Sequence, residues 1–247
     1  MRKDGRGYDA LRPVSLETGW KRQGDGSVLY RAGGTVVLCV ASVDEGVKDF
    51  MRGRGAGWVT AEYLMHPRTG PKRQSRDGFN GRPLSGRSQE IARLIGRALR
   101  SSVDGAALGE RTITIDCDVL EADGGTRTAS VTGGYVAARI AVERLIGAGL
   151  VDRSALATPI AAVSVGIVRG SPWLDLDYPL DSRADVDMNV VMDAEGRYIE
   201  VQGTGERRAM SRAELDTLLG LADGGIRQLF ALQNDAIARA LVSRPAV

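Results

Sequence analysis

Apolar and polar positions along the chain recur with two different periods, and the period changes from segment to segment. Over residues 27–43 (SVLYRAGGTVVLCVASV) two short apolar runs flank Gly33-Gly34, which predicts a pair of strands joined by a hairpin. Residues 112–120 (TITIDCDVL) alternate polar and apolar, the pattern of a half-buried strand. Residues 160–168 read as a more continuously apolar strand, with 173–177 expected as its hairpin partner after Gly170-Ser171-Pro172. Residues 184–192 and 198–203 flank Asp193-Ala194-Glu195-Gly196, a third hairpin signal.

Three segments switch to the helical period. In 87–103, Ile91, Leu94, Ile95, Ala98 and Leu99 make one apolar face, and Arg93, Arg97 and Arg100 lie on the other. Residues 128–150 are rich in Ala and Val and predict a buried helix. Residues 211–241 predict a third, with Ser211 as N-cap, Glu214 as its capping-box partner, and a break or tight contact at Gly224-Gly225. Together these predict a mixed α/β fold. Residues 66–86 (HPRTGPKRQSRDGFNGRPLSG) stand apart as a long polar loop, a type that in compact domains usually serves function.

Composition narrows the chemistry. The 247 residues include two Cys and one His. Cys39 and Cys117 sit inside strand-like apolar runs, so buried thiols are expected and a disulfide framework is not. No Cys/His spacing suits zinc, and His66, in a turn-like Met-His-Pro-Arg context, reads as a surface residue. No stretch approaches the ~18 apolar residues of a membrane helix. The charged start carries no secretory signal, which leads us to expect a cytoplasmic protein with no membrane partner. The chain's net charge is +2, yet residues 52–100 hold eleven basic and three acidic residues. A basic segment on a near-neutral chain points to a polyanion, most often nucleic acid.

Three constellations carry chemistry. Asp123-Gly124-Gly125-Thr126-Arg127-Thr128 follows a strand and opens an apolar helix. Its glycines would let backbone N–H groups approach an anion at a helix N-terminus, while Thr126 and Arg127 add a hydroxyl and a planar fork; a plain turn with a helix cap is the alternative. The second is Asp181-Ser182-Arg183-Ala184-Asp185-Val186-Asp187. Here Asp185, Asp187 and Asn189 share one strand face, and Asp181 lies roughly 20 Å from Asp187 if the chain is straight, so a bend near 182–184 is needed to unite them. Clustered carboxylates can hold a divalent cation or supply a general acid; solvated acids at a strand entry are the alternative. The third is Arg87, a cation at a helix start, where the dipole disfavours it. It would be compensated by an external anion or, more simply, by Glu90.

The segments CDVLEADGGTRTASVTG (117–133), EGVKDFMRGRGAGWVTAEYLM (45–65), GRSQEIARLIGRALR (86–100), DMNVVM (187–192) and IEVQGTGE (199–206) closely resemble the bacterial ribonuclease PH family. The match runs in order from about residue 6 to 240. The resemblance implies one phosphorolytic exoribonuclease domain over 1–247, with 241–247 a loose tail. The implied fold is an α/β (α+β) mixed sheet with βαβα units, similar to a ribosomal-protein domain. It implies a phosphate-dependent 3′→5′ exoribonuclease, a tRNA nucleotidyltransferase that trims tRNA precursor 3′ ends as a homohexameric ring, a trimer of dimers. Inorganic phosphate would be co-substrate and magnesium the expected divalent cation. By the same resemblance Arg87, Gly125, Thr126 and Arg127 bind phosphate, and Asp187 and Asp181 are the catalytic or metal-binding carboxylates. Arg68, Arg73 and Arg76 would contact RNA, as would Arg93 and Arg97 on the basic helix face. A metal-dependent hydrolytic nuclease and a non-catalytic RNA-binding ring subunit are the competing readings.

Overall fold

The computed structural model describes residues 4–79 and 81–243. In chain order it contains β1 (Val14–Thr18), β2 (Gly26–Ala32), β3 (Thr35–Glu45), β4 (Trp58–Met65), α1 (Gly86–Arg100), α2 (Gly105–Leu108), β5 (Arg111–Glu121), α3 (Thr126–Gly147), β6 (Ile160–Val168), β7 (Ser171–Leu174), α4 (Tyr178–Asp181), β8 (Val186–Asp193), β9 (Tyr198–Thr204) and α5 (Arg212–Ser243). The strands build two sheets, ordered β1-β2-β3-β5-β4 and β7-β6-β8-β9. All pairings are antiparallel except β4 with β5, which is parallel because α1 carries the chain back across the sheet. The run β4-α1-β5-α3 is a βαβα unit, and the fold is mixed α/β, as the pattern predicted.

Most expected elements are present, with informative shifts. The β2–β3 hairpin turns at Gly33-Gly34, pairing Ala32 with Thr35. After β6 the turn is Arg169-Gly170, both with positive φ (52° and 75°), so β7 starts earlier than the sequence suggested. Pro172 then falls inside β7, which is tolerable because β7 is an edge strand. β4 was not read as a strand from the pattern, although its alternation is regular: Val59, Ala61 and Tyr63 are buried and Glu62 is exposed. The capping box of α5 forms, Ser211 N–H donating to Glu214 Oε2 at 2.8 Å and Glu214 N–H to Ser211 Oγ at 3.2 Å. α5 runs unbroken through Gly224-Gly225, where a Cβ on Gly225 would come within 2.8 Å of Leu174. The helix continues to Ser243 with Leu241 packed against the core, and residues 244–247 of the expected tail lie outside the described residues.

The period-two pattern of β6 and β8 sorts their side chains into two cores. Val163, Val165, Ile167, Val186, Met188 and Val190 pack with Leu218, Ala222, Ile226 and Leu229 of α5. Ile160, Ala162 and Val191 face the other way and join the larger core of α1, α3 and the first sheet. α3 therefore lies between the two sheets, which is why it is apolar almost all round rather than on one face. Each fully buried Leu, Ile or Val contributes about 1.5–3 kcal/mol.

Where β7 no longer covers the edge of β6, side chains take over. Thr132 Oγ1 on α3 accepts from Ala162 N–H at 3.0 Å and donates to the Ala162 carbonyl at 3.2 Å. Gln233 on α5 donates to the carbonyls of Ile160 and Thr132, both at 3.0 Å. Buried backbone groups that a strand would have satisfied are thus paired by two helices.

Candidate active site

The loop before α3 is built from behind. Arg12, buried, donates from Nη1 to the Asp123 carbonyl at 2.6 Å, and the Thr35 hydroxyl donates to the Gly124 carbonyl at 2.7 Å and accepts from Asp123 N–H at 3.0 Å. Arg12 is itself held by Asp175, whose carboxylate accepts from Arg12 Nη2 (2.7 Å), Nε (3.0 Å) and backbone N–H (2.7 Å), and from Arg6 Nη1 (3.1 Å). Burial alone would raise the Asp175 pKa, but the hydrogen bonds and charge of Arg12 outweigh it and hold the carboxyl below its ordinary range. Gly124 and Gly125 both adopt left-handed backbone (φ 77° and 67°), and a Cβ on Gly124 would come within 2.5 Å of the Leu176 carbonyl. Glycine is required there by the path of the chain as well as by any ligand. Gly125 caps α3 with no side-chain acceptor, leaving first-turn N–H groups available to an anion.

The side chains of that first turn are also fixed. Thr126 Oγ1 lies 2.8 Å from the Tyr63 hydroxyl at the end of β4. Arg127 Nη1 donates to Gln202 Oε1 on β9 at 2.6 Å, and Gln202 Nε2 donates to Glu90 Oε1 on α1 at 2.9 Å. Arg87 follows the N-cap Ser85, whose Oγ accepts from Ser88 N–H at 3.2 Å. Asp77, in the long loop, accepts from the hydroxyls of Ser88 (2.6 Å) and Ser85 (2.8 Å) and so pins the loop to the start of α1; these bonds hold its pKa down. The simple expectation that Glu90 compensates Arg87 is not met: Glu90 receives Gln202 and lies 3.9 Å from Arg127 Nη2. Among the described residues Arg87 makes no ion pair.

The bend that the carboxylates need is present. Asp181 ends α4, the turn closes with Ala184 N–H donating to the Asp181 carbonyl at 3.1 Å, and β8 starts at Val186. Asp187 shares the α3 side of its strand with Asn189, while Val186 and Met188 face α5, as the period-two reading expected. Burial first, and then the charge of Asp181, push the Asp187 carboxyl up to about 6, against the pull of Arg127. Asp181 is also raised by burial, against Arg127 and Arg87. Asp181 therefore lies within the reach of both Arg87 and Arg127, and Asp187 within that of Asp181 and Arg127; the two aspartates and Arg127 are half-buried and Arg87 is exposed. Glu206, just past β9, raises both aspartates and completes the acidic side; it lies in the quoted IEVQGTGE segment but was not singled out.

Two adjacent carboxylates whose charges oppose each other suit a divalent cation, and magnesium commonly uses one or two carboxylates with phosphate oxygens and water. Among the described residues no group of three or more acidic, His or Cys ligands gathers for a metal.

Arg68, Arg73 and Arg76 are exposed on the long loop, and Arg93 is exposed on α1. Arg97 is already engaged, its Nε 3.1 Å from Glu200 Oε2 on β9, so it ties α1 to the second sheet. His66 is exposed, with Nδ1 accepting from Arg68 N–H at 3.2 Å, a turn contact. Cys39 and Cys117 are buried free thiols on directly opposed positions of β3 and β5.

A βαβα-containing two-sheet fold with an anion-ready helix start facing carboxylates defines the class. Residues 10–142 match the RNase PH model of the 3′ exoribonuclease family, domain 1, and residues 158–225 match domain 2 of the same family. The chain belongs to the RNase PH, 3′ exoribonuclease family. The fold is similar to that of rice (Oryza sativa) Rrp46, at 17% identity and TM-score 0.74, covering 96% of this chain and 100% of that one. It is similar to a chain of the Archaeoglobus fulgidus exosome solved with RNA bound to the active site, at 22% identity and TM-score 0.74, covering 93% of this chain and 91% of that one. An archaeal exosome core chain matches at 21% identity and TM-score 0.70, covering 92% and 89%. Among the described residues no helix is long and apolar enough to cross a membrane.

Proposed function

We propose that this chain is a ribonuclease PH: a phosphate-dependent 3′→5′ exoribonuclease that trims the 3′ ends of tRNA precursors in the cytoplasm, acting as one phosphorolytic domain in a homohexameric ring. The observation that carries the reading is that Arg127, at the start of α3, lies within the reach of both Asp181 and Asp187, with the exposed Arg87 within the reach of Asp181. A hydrolytic nuclease needs to hold one phosphate; attack by phosphate on a phosphodiester brings two anions together, and two arginines offset that repulsion.

In this mechanism Arg87, Thr126, Arg127 and the Gly125 region hold inorganic phosphate in line with the last phosphodiester of the RNA. A phosphate oxygen bonds to the phosphorus, and the bond from that phosphorus to the 3′ oxygen of the penultimate nucleotide breaks. Asp187 delivers the proton that the departing oxygen requires. In the alternative role Asp187 is ionised and with Asp181 would hold magnesium, which when bound supplies charge stabilisation at the phosphates. The products are a nucleoside 5′-diphosphate and an RNA one nucleotide shorter. Because one phosphate linkage replaces another, the reverse addition of nucleotides from diphosphates runs as well.

The test is to incubate the protein with an RNA bearing a 3′ extension, with and without phosphate, and to identify the mononucleotide released. Diphosphates appearing only with phosphate are expected; monophosphates released in phosphate-free buffer would instead establish hydrolysis. Arg127→Ala should raise the phosphate concentration needed by roughly ten- to a hundred-fold, the worth of a charge-assisted contact.

The exposed arginines of the long loop are proposed to grip the body of the precursor while its 3′ end enters the site. Arginine contacts to phosphates weaken steeply with salt. Replacing Arg68, Arg73 and Arg76 together by Ala should lower precursor affinity and flatten its dependence on salt, leaving cleavage of a very short oligonucleotide little changed. An unchanged salt slope, in an assembly shown by light scattering to be intact, would remove the loop from RNA binding.

A further inference from the structure

Arg127 is held by a short polar chain that links three elements. Gln202 uses both ends of its amide: Oε1 accepts from Arg127 Nη1 at 2.6 Å, and Nε2 donates to Glu90 Oε1 at 2.9 Å. Only the amide oxygen can accept from a guanidinium, and only the amide nitrogen can donate to a carboxylate, so the two neighbours fix the orientation of Gln202. The second oxygen of Glu90 stands 3.9 Å from Arg127 Nη2, an ion-pair distance too long for a hydrogen bond. A guanidinium and a carboxylate this close would ordinarily close into a two-pronged pair that consumes both prongs of the fork. Gln202, inserted at one prong, prevents that.

The fold sets this arrangement. β9 pairs with β8 so that Gln202 stands opposite Asn189 and Thr204 opposite Asp187. Glu200, two residues before Gln202 on the same face, meets Arg97 on α1. Two polar contacts, Glu90 to Gln202 and Arg97 to Glu200, thus clamp α1 along the edge strand beside the candidate phosphate site.

We propose that Gln202 and Glu90 are positioning residues that aim the Arg127 guanidinium at inorganic phosphate, Gln202 as the spacer that keeps Glu90 from occupying the fork and Glu90 as the anchor that holds the spacer. The proposal rests on the reading of phosphate as co-substrate. It assigns opposite roles to a neutral and a charged side chain at position 202, which a purely structural contact would not do.

The test is steady-state phosphorolysis of a short oligonucleotide with inorganic phosphate varied, on the full chain, with melting temperature measured alongside. Gln202→Ala should raise KM for phosphate ~10-fold, with kcat at saturating phosphate and KM for the oligonucleotide nearly unchanged. Gln202→Glu should raise the phosphate KM further, because a carboxylate at that position pairs with Arg127 and repels the ligand. Glu90→Ala should also raise it, and Glu90→Gln should restore it, since the new amide carbonyl can accept from Gln202. If Gln202→Ala fails to fold, the Glu90→Ala and Glu90→Gln comparison decides alone. A phosphate-dependent wild type whose KM for phosphate is the same in Gln202→Ala, or in all foldable variants, overturns the relay and leaves the phosphorolytic reading intact. A wild type that releases monophosphates without phosphate overturns that reading, and the relay with it.

Discussion

Asp187→Asn will leave a folded chain that still binds RNA and turns over about 10²–10⁴-fold more slowly, the usual worth of a positioned acid or base. The side chain sits near the start of β8, between Gly166 on β6 and Thr204 on β9, so its backbone is held on both sides. Asn fills nearly the same space and stays polar. It cannot transfer a proton and it carries no charge for a cation. Stability should change little, because burial and the Asp181 charge both disfavour the ionised carboxylate that is being removed. Binding of an RNA oligonucleotide, single-turnover rate and melting temperature, measured on the same preparation, separate the roles. Near-normal turnover in a folded variant would dismiss Asp187 as the reacting carboxylate, and a loss confined to RNA affinity would make it a binding residue.

The second large effect lies behind the site. Asp175→Asn should destabilise the chain by about 3–5 kcal/mol, because it leaves the buried Arg12 guanidinium without its carboxylate. For a chain of this size that corresponds to a melting temperature lower by roughly 10 °C. Asn is the informative substitution, since position 175 has φ 55° and Asn tolerates left-handed backbone better than Ala. The pH dependence follows from the direction of the shift. Asp175 is held below its ordinary value of 3.8 in the folded state, so its contribution is complete above that value. It is lost as the pH falls below 3.8 and through the lower folded value. Wild type should therefore lose stability in that acid window more steeply than Asp175→Asn, and urea unfolding at pH 7 and in the window measures the difference. Equal slopes would show that the pair carries no linkage.

What the sequence made legible was local. The continuous apolar run of 160–168 and the alternation in 184–192 located β6 and β8, and that alternation sorted Asp187 and Asn189 from Val186 and Met188, because side-chain direction in a strand is set by parity alone. Ser211 and Glu214 marked the start of α5 because a capping box is complete within four residues. Gly124-Gly125 announced a special backbone, and the close approach of the Leu176 carbonyl to Gly124 is a cause that the local sequence does not reveal. What could not be read was pairing over long separations. Arg12 and Asp175 are 163 residues apart, and neither has a neighbour in sequence that hints at the other. Gln202 and Glu90 are 112 apart, so Glu90 seemed the natural partner for nearby Arg87 until the fold brought β9 to α1. β4 was overlooked because its partner β5 reaches it in parallel register through a helix, not a hairpin with turn residues to flag it.

The two side chains that finish the edge of β6 bear on how the molecule comes apart. Thr132 belongs to the segment that matches domain 1 of the family, Ala162 to the segment that matches domain 2. The Ala162 N–H, bonded to a threonine hydroxyl across that boundary, can exchange with solvent only when the helix leaves the strand. A single amide thus times the parting of the two halves, and its exchange rate, set against that of amides inside either sheet, says whether they let go together or one before the other.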